Sequence, residues 1–197
     1  TKREIVENLK LVDAVIEIRD ARIVKSSANP DIDELCKDKP RIILLNKSDL
    51  SEEKVTAEWS RKLSKDYIKV LSVNSLTGAG LREIKPALDD LLKEKIERQR
   101  KRGIMNVISR VMVVGIPNVG KSSFINKMAK NNIAKTGDRP GVTKNKQWIR
   151  TSLGLELLDT PGILWPRFED EETALNLAFT GAIKDEIMDV EELALKL

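Results

Sequence analysis

The segment Gly115-Ile116-Pro117-Asn118-Val119-Gly120-Lys121-Ser122 follows the apolar run Val111-Met112-Val113-Val114 and opens a stretch, Lys121 to Lys130, of helical periodicity. A strand, a glycine-bounded loop and a helix in that order leave few folds open. Gly115 and Gly120 let the backbone wrap an anion at a helix N-terminus. Lys121 reaches the β and γ phosphates of a nucleotide, and the Ser122 hydroxyl suits Mg²⁺. Two further polar motifs also end apolar runs. Asn46-Lys47-Ser48-Asp49 follows Ile42 to Leu45, well before the phosphate loop, and Asp159-Thr160-Pro161-Gly162 follows Leu155 to Leu158, after it.

The earlier motif reads a base. The Asp49 carboxylate accepts from both N1–H and the 2-amino group of guanine, a donor pair adenine lacks, and each hydrogen bond to a charged group is worth about 1.5–3 kcal/mol. Asn46, Lys47 and Ser48 frame the same pocket from the end of their strand. In an ordinary guanine-nucleotide switch the phosphate loop comes first and the base-reading motif follows. Here the order is reversed, which works only if the same domain has been cut and rejoined elsewhere, a circular permutation.

The rest of the chain fits that frame. Val12 to Ile18, Arg41 to Leu45, Tyr67 to Val73, Arg110 to Gly115 and Leu155 to Leu158 read as short strands, several apolar throughout, as a sheet covered on both faces requires. Ser51 to Ser64, Leu81 to Arg102 and Lys121 to Lys130 read as helices between them. The alternation implies an α/β domain of three layers with a mostly parallel sheet. The run Arg98-Gln99-Arg100-Lys101-Arg102 closes on Gly103, a suitable helix cap, and joins the two halves that a permutation must connect. With 34% charged residues and 4% aromatic, the composition is that of a globular α/β chain. No stretch approaches the roughly 20 apolar residues of a membrane span, and no signal peptide is visible. Cys36 has no partner for an internal disulfide and reads as a small buried hydrophobe in a reducing cytoplasm. Lys and Arg outnumber Asp and Glu 35 to 31, and histidine is absent. Imidazole chemistry is thus excluded, while contact with nucleic acid is permitted without being demonstrated.

Three more loops complete the reading. Val73-Asn74-Ser75-Leu76-Thr77-Gly78-Ala79-Gly80 ends a strand where backbone N–H groups, with Asn74 and Ser75, can approach the guanine O6. Asp159 can hold Mg²⁺ through water, and Gly162 can offer an N–H to the γ-phosphate. Thr143, ending the loop Thr136-Gly137-Asp138-Arg139-Pro140-Gly141-Val142-Thr143, is the candidate for a second Mg²⁺ ligand that leaves with the γ-phosphate. The expected nucleotide contacts in the phosphate loop are Asn118, Val119, Gly120, Lys121, Ser122 and Ser123, and Lys121, Thr143 and Gly162 form the expected catalytic set. All five stretches fall at strand ends, the edge where α/β sheets bind ligands.

Together, GIPNVGKSS, AKTGDRPGVT and LLDTPGILWPRFED, with Asp20-Ala21-Arg22 and Ser27-Ala28-Asn29-Pro30, resemble the circularly permuted bacterial ribosome biogenesis GTPase A family over essentially the whole chain. The resemblance implies a GTPase domain over 1–178 and, over 179–197, the beginning of a helical RNA-binding domain. It implies a cytoplasmic monomer that assists assembly of the large ribosomal subunit, with precursor rRNA and ribosomal proteins as partners. It further implies K⁺ at the Asn118 side-chain oxygen, the alternative being that Asn118 only steadies its own turn. Two departures from the family stand out: its histidine-bearing N-terminal segment does not precede Thr1, and its C-terminal helical domain is represented only by the opening stretch, Thr180 to Leu197. Against ordinary switches, Ile163 stands where they carry the glutamine that orients water. Ile163-Leu164-Trp165 equally suits a segment packed on a neighbouring helix, and Arg139 is a possible substitute for an arginine finger. Hydrolysis is therefore expected to be slow, on the order of 10⁻⁴–10⁻² s⁻¹, as in unassisted switches. The competing expectation is a GTP-dependent binding module that regulates a protein or a tRNA-modifying partner.

Overall fold

The computed structural model describes residues 2–129, 148–160, 171–183 and 196. Six strands form one sheet: β1 (Ala14–Asp20), β2 (Arg41–Asn46), β3 (Ile68–Ser72), β4 (Ser109–Val114), β5 (Trp148–Arg150) and β6 (Leu155–Asp159). Their spatial order is β3-β2-β1-β4-β6-β5, and among the strands of the described residues only the edge pair β5–β6 is antiparallel. The five expected strands are present within two residues at each end. β5 is the unexpected one, since three residues are too few to show a period.

β1 lies at the middle of the sheet, paired with β2 (Ile16 opposite Ile42) and with β4 (Ile16 opposite Val113). The first strand of the chain thus separates the strand that delivers the phosphate loop from the strand that delivers Asn46-Lys47-Ser48-Asp49. Side chains alternate between two buried faces, as the pleat demands. Ala14, Ile16, Ile18, Ile42, Leu44, Val111, Val113, Leu155 and Leu157 face one layer of helices. That layer is α4 (Ile84–Leu91), α5 (Lys93–Lys101), α6 (Lys121–Met128) and α7 (Glu171–Phe179), which bury Ile84, Leu88, Ile96, Phe124, Met128 and Leu177. The other face carries Val15, Met112, Val114 and Leu158 under α1 (Lys2–Leu9) and α2 (Pro30–Leu35). Beside them, Ile43 and Leu45 lie under α3 (Glu53–Leu63).

Three helical details depart from the sequence reading. The helix expected over Leu81 to Arg102 is a 3₁₀ turn, Leu81–Glu83, followed by α4 and α5 with a bend at Leu92. The Leu92 N–H still bonds Leu88 O and the Ile96 N–H still bonds Leu92 O, each at 2.9 Å, so Leu88, Leu92 and Ile96 stay on the sheet through the bend. The helix expected from Ser51 begins at Glu53, because Ser51 Oγ donates to Ser48 O and closes a turn first. The short α1 and α2 were not foreseen. For α2 the signal was present: Asn29 is its N-cap, its side-chain oxygen accepting from the Asp31 N–H at 2.9 Å, with Pro30 next. The expected cap at Gly103 is present. With φ at 84°, its N–H bonds Arg100 O while the Ile104 N–H bonds Gln99 O, the two bonds of a Schellman close. Cys36 is buried, and desolvation pushes its thiol up to about 11, so it acts as a hydrophobe.

One face of the sheet contains charge. Glu17 of β1, 1% exposed, accepts from Arg19 Nε at 2.6 Å and from Arg41 Nη1 at 3.1 Å. Asp33 of α2 lies 2.6 Å from Arg41 Nη1 and 3.6 Å from Arg19 Nη2. Burial works against charge on Arg19, but the two carboxylates outweigh it and raise its pKa. Removing one member of such a cluster leaves buried charge uncompensated, at a cost of about 3–5 kcal/mol. We expect Glu17→Ala to lower unfolding free energy by about that amount in urea titrations, whereas Glu4→Ala on the exposed face of α1 should change it by less than ~0.5 kcal/mol.

Candidate functional site

The C-terminal ends of β2, β3 and β4 converge because one carboxamide joins them. Asn46 is 2% exposed. Its Nδ2 donates to Val119 O of the phosphate loop at 2.7 Å, and its Oδ1 accepts from the Ser75 N–H at 2.9 Å. Gly120 must be glycine for this bond to exist: a Cβ there would sit 2.3 Å from Asn46 Nδ2, and its φ is 100°. Gly115 is constrained similarly, since an added Cβ would meet Ile18 O of β1 at 2.7 Å.

Lys47 is in the left-handed region, φ 59°, which turns its side chain across the loop mouth. Its Nζ donates to Asn118 O at 2.9 Å and pairs with Asp20 Oδ2 at 2.9 Å. Asp20, at the end of β1, is 2% exposed and also accepts from Arg22 through its N–H, Nε and Nη2 at 3.1, 2.9 and 2.7 Å. Burial pushes the Asp20 carboxyl up, but the hydrogen bonds from Arg22 and Lys47 win and hold it below the usual carboxylate range. The sequence reading gave Asp20-Ala21-Arg22 no role; its position between two functional strands shows that it anchors Lys47.

Behind these ties lies a cavity of about 200 Å³ lined by Asn46, Lys47, Asp49, Asn74, Ser75 and Asn118, with Leu50, Leu76, Gly120 and Ser123 completing it. Asp49 and Ser48 occupy the 3₁₀ turn Ser48–Leu50, with Asp49 exposed. Asn74 Oδ1 accepts from the Leu76 and Thr77 N–H groups at 2.9 and 3.0 Å, and Gly80, φ 76°, packs against Ser72 O where a Cβ would come within 2.4 Å. The loop from Val73 to Gly80 is therefore prefolded.

On the phosphate side, Lys121 and Ser122 open α6 behind Gly120, its N-cap. Lys121 Nζ donates to Ile116 O at 3.3 Å. Desolvation lowers the Lys121 pKa, and Asp159 nearby offsets part of the loss. Desolvation likewise raises the Asp159 carboxyl against the pull of Lys121 and the Thr160 N–H. Thr160 Oγ1 donates to Val113 O at 2.6 Å, fixing the end of β6 to the end of β4. Asn118 is the other non-glycine residue with positive φ among the described residues, at 59°, and its Nδ2 donates to Gly181 O just beyond α7. That contact is outside its own turn. Thr143, Gly162, Arg139 and Ile163-Leu164-Trp165 lie outside the described residues.

Base motif, guanine loop, phosphate loop and Asp159 thus meet along one sheet edge, in a chain order that is permuted. A family model described as 50S ribosome-binding GTPase matches residues 110–193. The ribosome biogenesis GTPase A of Bacillus licheniformis is 54% identical over 193 residues, which cover 98% of this chain and 68% of that protein. The chain belongs to the ribosome biogenesis GTPase A family. The family protein of Thermotoga maritima is 34% identical over 182 residues, covering 92% of this chain and 62% of its own length. The crystal structure of GNP-bound YlqF from T. maritima superposes with a TM-score of 0.67 at 32% identity, covering all of this chain and 72% of that one. This is the permuted GTPase fold, and family membership makes the chain a GTPase.

If Asp20 positions Lys47, Asp20→Asn should weaken GDP and GTP binding by about tenfold to a hundredfold, the equivalent of one hydrogen bond to a charged group. Fluorescent-nucleotide titration would measure it, with circular dichroism to verify the fold. The carboxyl's folded pKa is depressed, so its contribution is full above the unfolded value near 4 and is lost as pH falls through the folded value.

Proposed function

We propose that the chain binds GTP in the cavity beside Asn46, hydrolyses it slowly, and uses the cycle to engage and leave a precursor of the large ribosomal subunit. The observation that carries this reading is the Asn46 bridge, which holds the base-reading turn, the guanine loop and the phosphate loop around one cavity. In this reading Asp49 reads guanine N1–H and the 2-amino group. Asn74 and Ser75 face O6, and Lys47 spans the base and phosphate regions. Val119, Gly120, Lys121, Ser122 and Ser123 cradle the phosphates, and Gly162 contacts the γ-phosphate.

The family generally uses Mg²⁺. A Mg²⁺ carried by phosphate oxygens needs only one or two protein ligands. We assign Ser122 and Thr143 as direct ligands and Asp159 as a ligand through water. K⁺ at Asn118 is the proposed activator. The Asn118 side chain uses its Nδ2 for Gly181 O, which leaves its Oδ1, the oxygen that would face the ion, outside that contact. No helix among the described residues is long and apolar enough to cross a membrane, and the proposed setting is the cytoplasm, with the protein acting as a monomer. We also propose that residues 179–197 begin a helical RNA-binding domain.

Base choice is the direct test of the cavity. ATP should bind at least ~10³-fold more weakly than GTP, and Asp49→Asn should exchange guanine for xanthine nucleotide, whose 2-oxo group needs a donor. Comparable affinities for ATP and GTP would remove the assignment. Partner and cycle are tested by turnover and co-sedimentation with large-subunit particles. Particles should accelerate GTP turnover in K⁺ and less in Na⁺. Particle affinity should differ about 5- to 150-fold between a non-hydrolysable GTP analogue and GDP. A protein partner that accelerates turnover where particles do not would favour the binding-module alternative.

A further inference from the structure

A second cavity, of about 350 Å³, shares no lining residue with the nucleotide cavity. It opens on the sheet face that carries α2 and α3, near the N-terminal ends of β2 and β3, away from the edge where Asn46 and Ser75 lie. Arg19 and Arg41 form its floor, Lys37, Lys62 and Lys65 its rim, and Tyr67 one wall, so five cations face a single acid, Asp33.

The arginine floor is already balanced. Glu17 and Asp33 together accept from both guanidinium groups. The uncompensated charge is therefore on the rim. Lys37, Lys62 and Lys65 are exposed, and among the described residues none of the three has a carboxylate within ion-pairing distance. Lys62 is held rather than free, its Nζ 5.0 Å above the Trp59 ring. Three lysines around a concave floor fixed by buried ion pairs cost less to order on an anion than three scattered ones, because the backbone that carries them is fixed. Tyr67 is 48% exposed beside them, and its carbonyl accepts from the Arg41 N–H at 2.9 Å, so its backbone is anchored to the floor. A concave cationic rim with an exposed, anchored aromatic ring matches single-stranded nucleic acid. Lysines take successive phosphates, and the ring stacks an unpaired base. An acidic protein segment would use the lysines but leave the ring idle.

We propose that this cleft binds an unpaired RNA segment, its phosphates on Lys37, Lys62 and Lys65 and a base on Tyr67. It rests on the reading that the partner is a ribosomal particle, and it assigns to the GTPase domain itself an RNA contact separate from residues 179–197.

The test uses the full chain, a fluorescent single-stranded oligouridylate, and anisotropy across a series of KCl concentrations. The triple variant Lys37→Glu, Lys62→Glu, Lys65→Glu alters only exposed side chains and should keep GDP affinity. It should bind the RNA at least about tenfold more weakly, and its salt dependence should flatten by about 2 in log–log slope, three phosphate contacts at ~0.7 each. Tyr67→Ala should lower affinity with the slope unchanged, and Tyr67→Phe should restore it. Unchanged affinity and slope in the triple variant would overturn the proposal. So would a variant that loses particle binding while its binding to free RNA is unaltered, which would make the occupant an acidic protein. Co-sedimentation separates this idea from the one beneath it. If wild-type protein fails to bind particles, the assembly reading falls while the RNA measurement stands. If wild type and triple variant bind particles equally, the cleft assignment falls and the assembly reading stands.

Discussion

The site depends on one buried side chain, the Asn46 carboxamide, which ties together the loops that line the cavity. Asn46 presents a donor and an acceptor on opposite sides of a planar amide, and the fold uses both: one for the carbonyl of a loop 73 residues away, the other for an N–H 29 residues away. Those partners belong to different strand ends, so the amide fixes the distance between the phosphate and guanine loops. Buried polar groups left without partners cost about 1–3 kcal/mol each, and a slip of either loop would orphan the donor and acceptor of its own bond. The same amide explains Gly120. A side chain there would collide with Asn46 Nδ2, so the glycine is required by this bond as well as by its own φ of 100°.

A second tie lies between the base-motif turn and the phosphate loop. In this chain β1 is the first strand, yet the sheet places it between β2 and β4. Its final residue, Asp20, therefore emerges between the base-reading turn and the phosphate loop, within reach of Lys47. The lysine holds Asn118 O with one hydrogen and Asp20 with another. Arg22 clamps the carboxylate from the far side through three donors. The permutation leaves the clamp intact, and the joint it requires is made elsewhere. It runs through α5 and the Gly103 close into β4, on the opposite flank from the nucleotide edge.

Most of this was legible in the sequence because it is local. Apolar runs gave strands, since a sheet buried on both faces needs them throughout; glycines marked loops where backbone approaches backbone; and Asn46 to Asp49 and Gly115 to Ser122 carried their chemistry in their spacing. What the sequence could not give was long-range pairing. Nothing local says that Asp20 meets Lys47, or that Glu17 and Arg19, two residues apart on one strand, point to the same face and find Arg41 and Asp33 there. The apolar pattern of β1 is interrupted by these charges, and an interrupted run in a central strand is itself a signal that partners must exist. β5 escaped for another reason: three edge residues bury too little to leave a period.

The remaining tension is electrostatic, and it lies at the phosphate end. Lys121 and Asp159 are each driven toward neutrality by desolvation and each partly rescued by the other. A magnesium nucleotide would supply phosphate charge to the lysine and a cation to the carboxylate, opposing both shifts. Thr160 is tied to Val113 O, which holds the end of β6 against β4 before any ligand arrives. The chain beyond it leads to α7, whose Asn176 donates to Ser26 Oγ at 3.1 Å, beside the Asp20 clamp, and whose following Gly181 accepts from Asn118. α7 thus rests on both ties of the site, the Asp20 loop and the phosphate loop. In the proposed cycle, γ-phosphate drawing on Gly162 would work against these two contacts. In that cycle they would set how much nucleotide binding energy reaches whatever follows α7, because a ligand shifts an equilibrium only by its differential affinity for the two states.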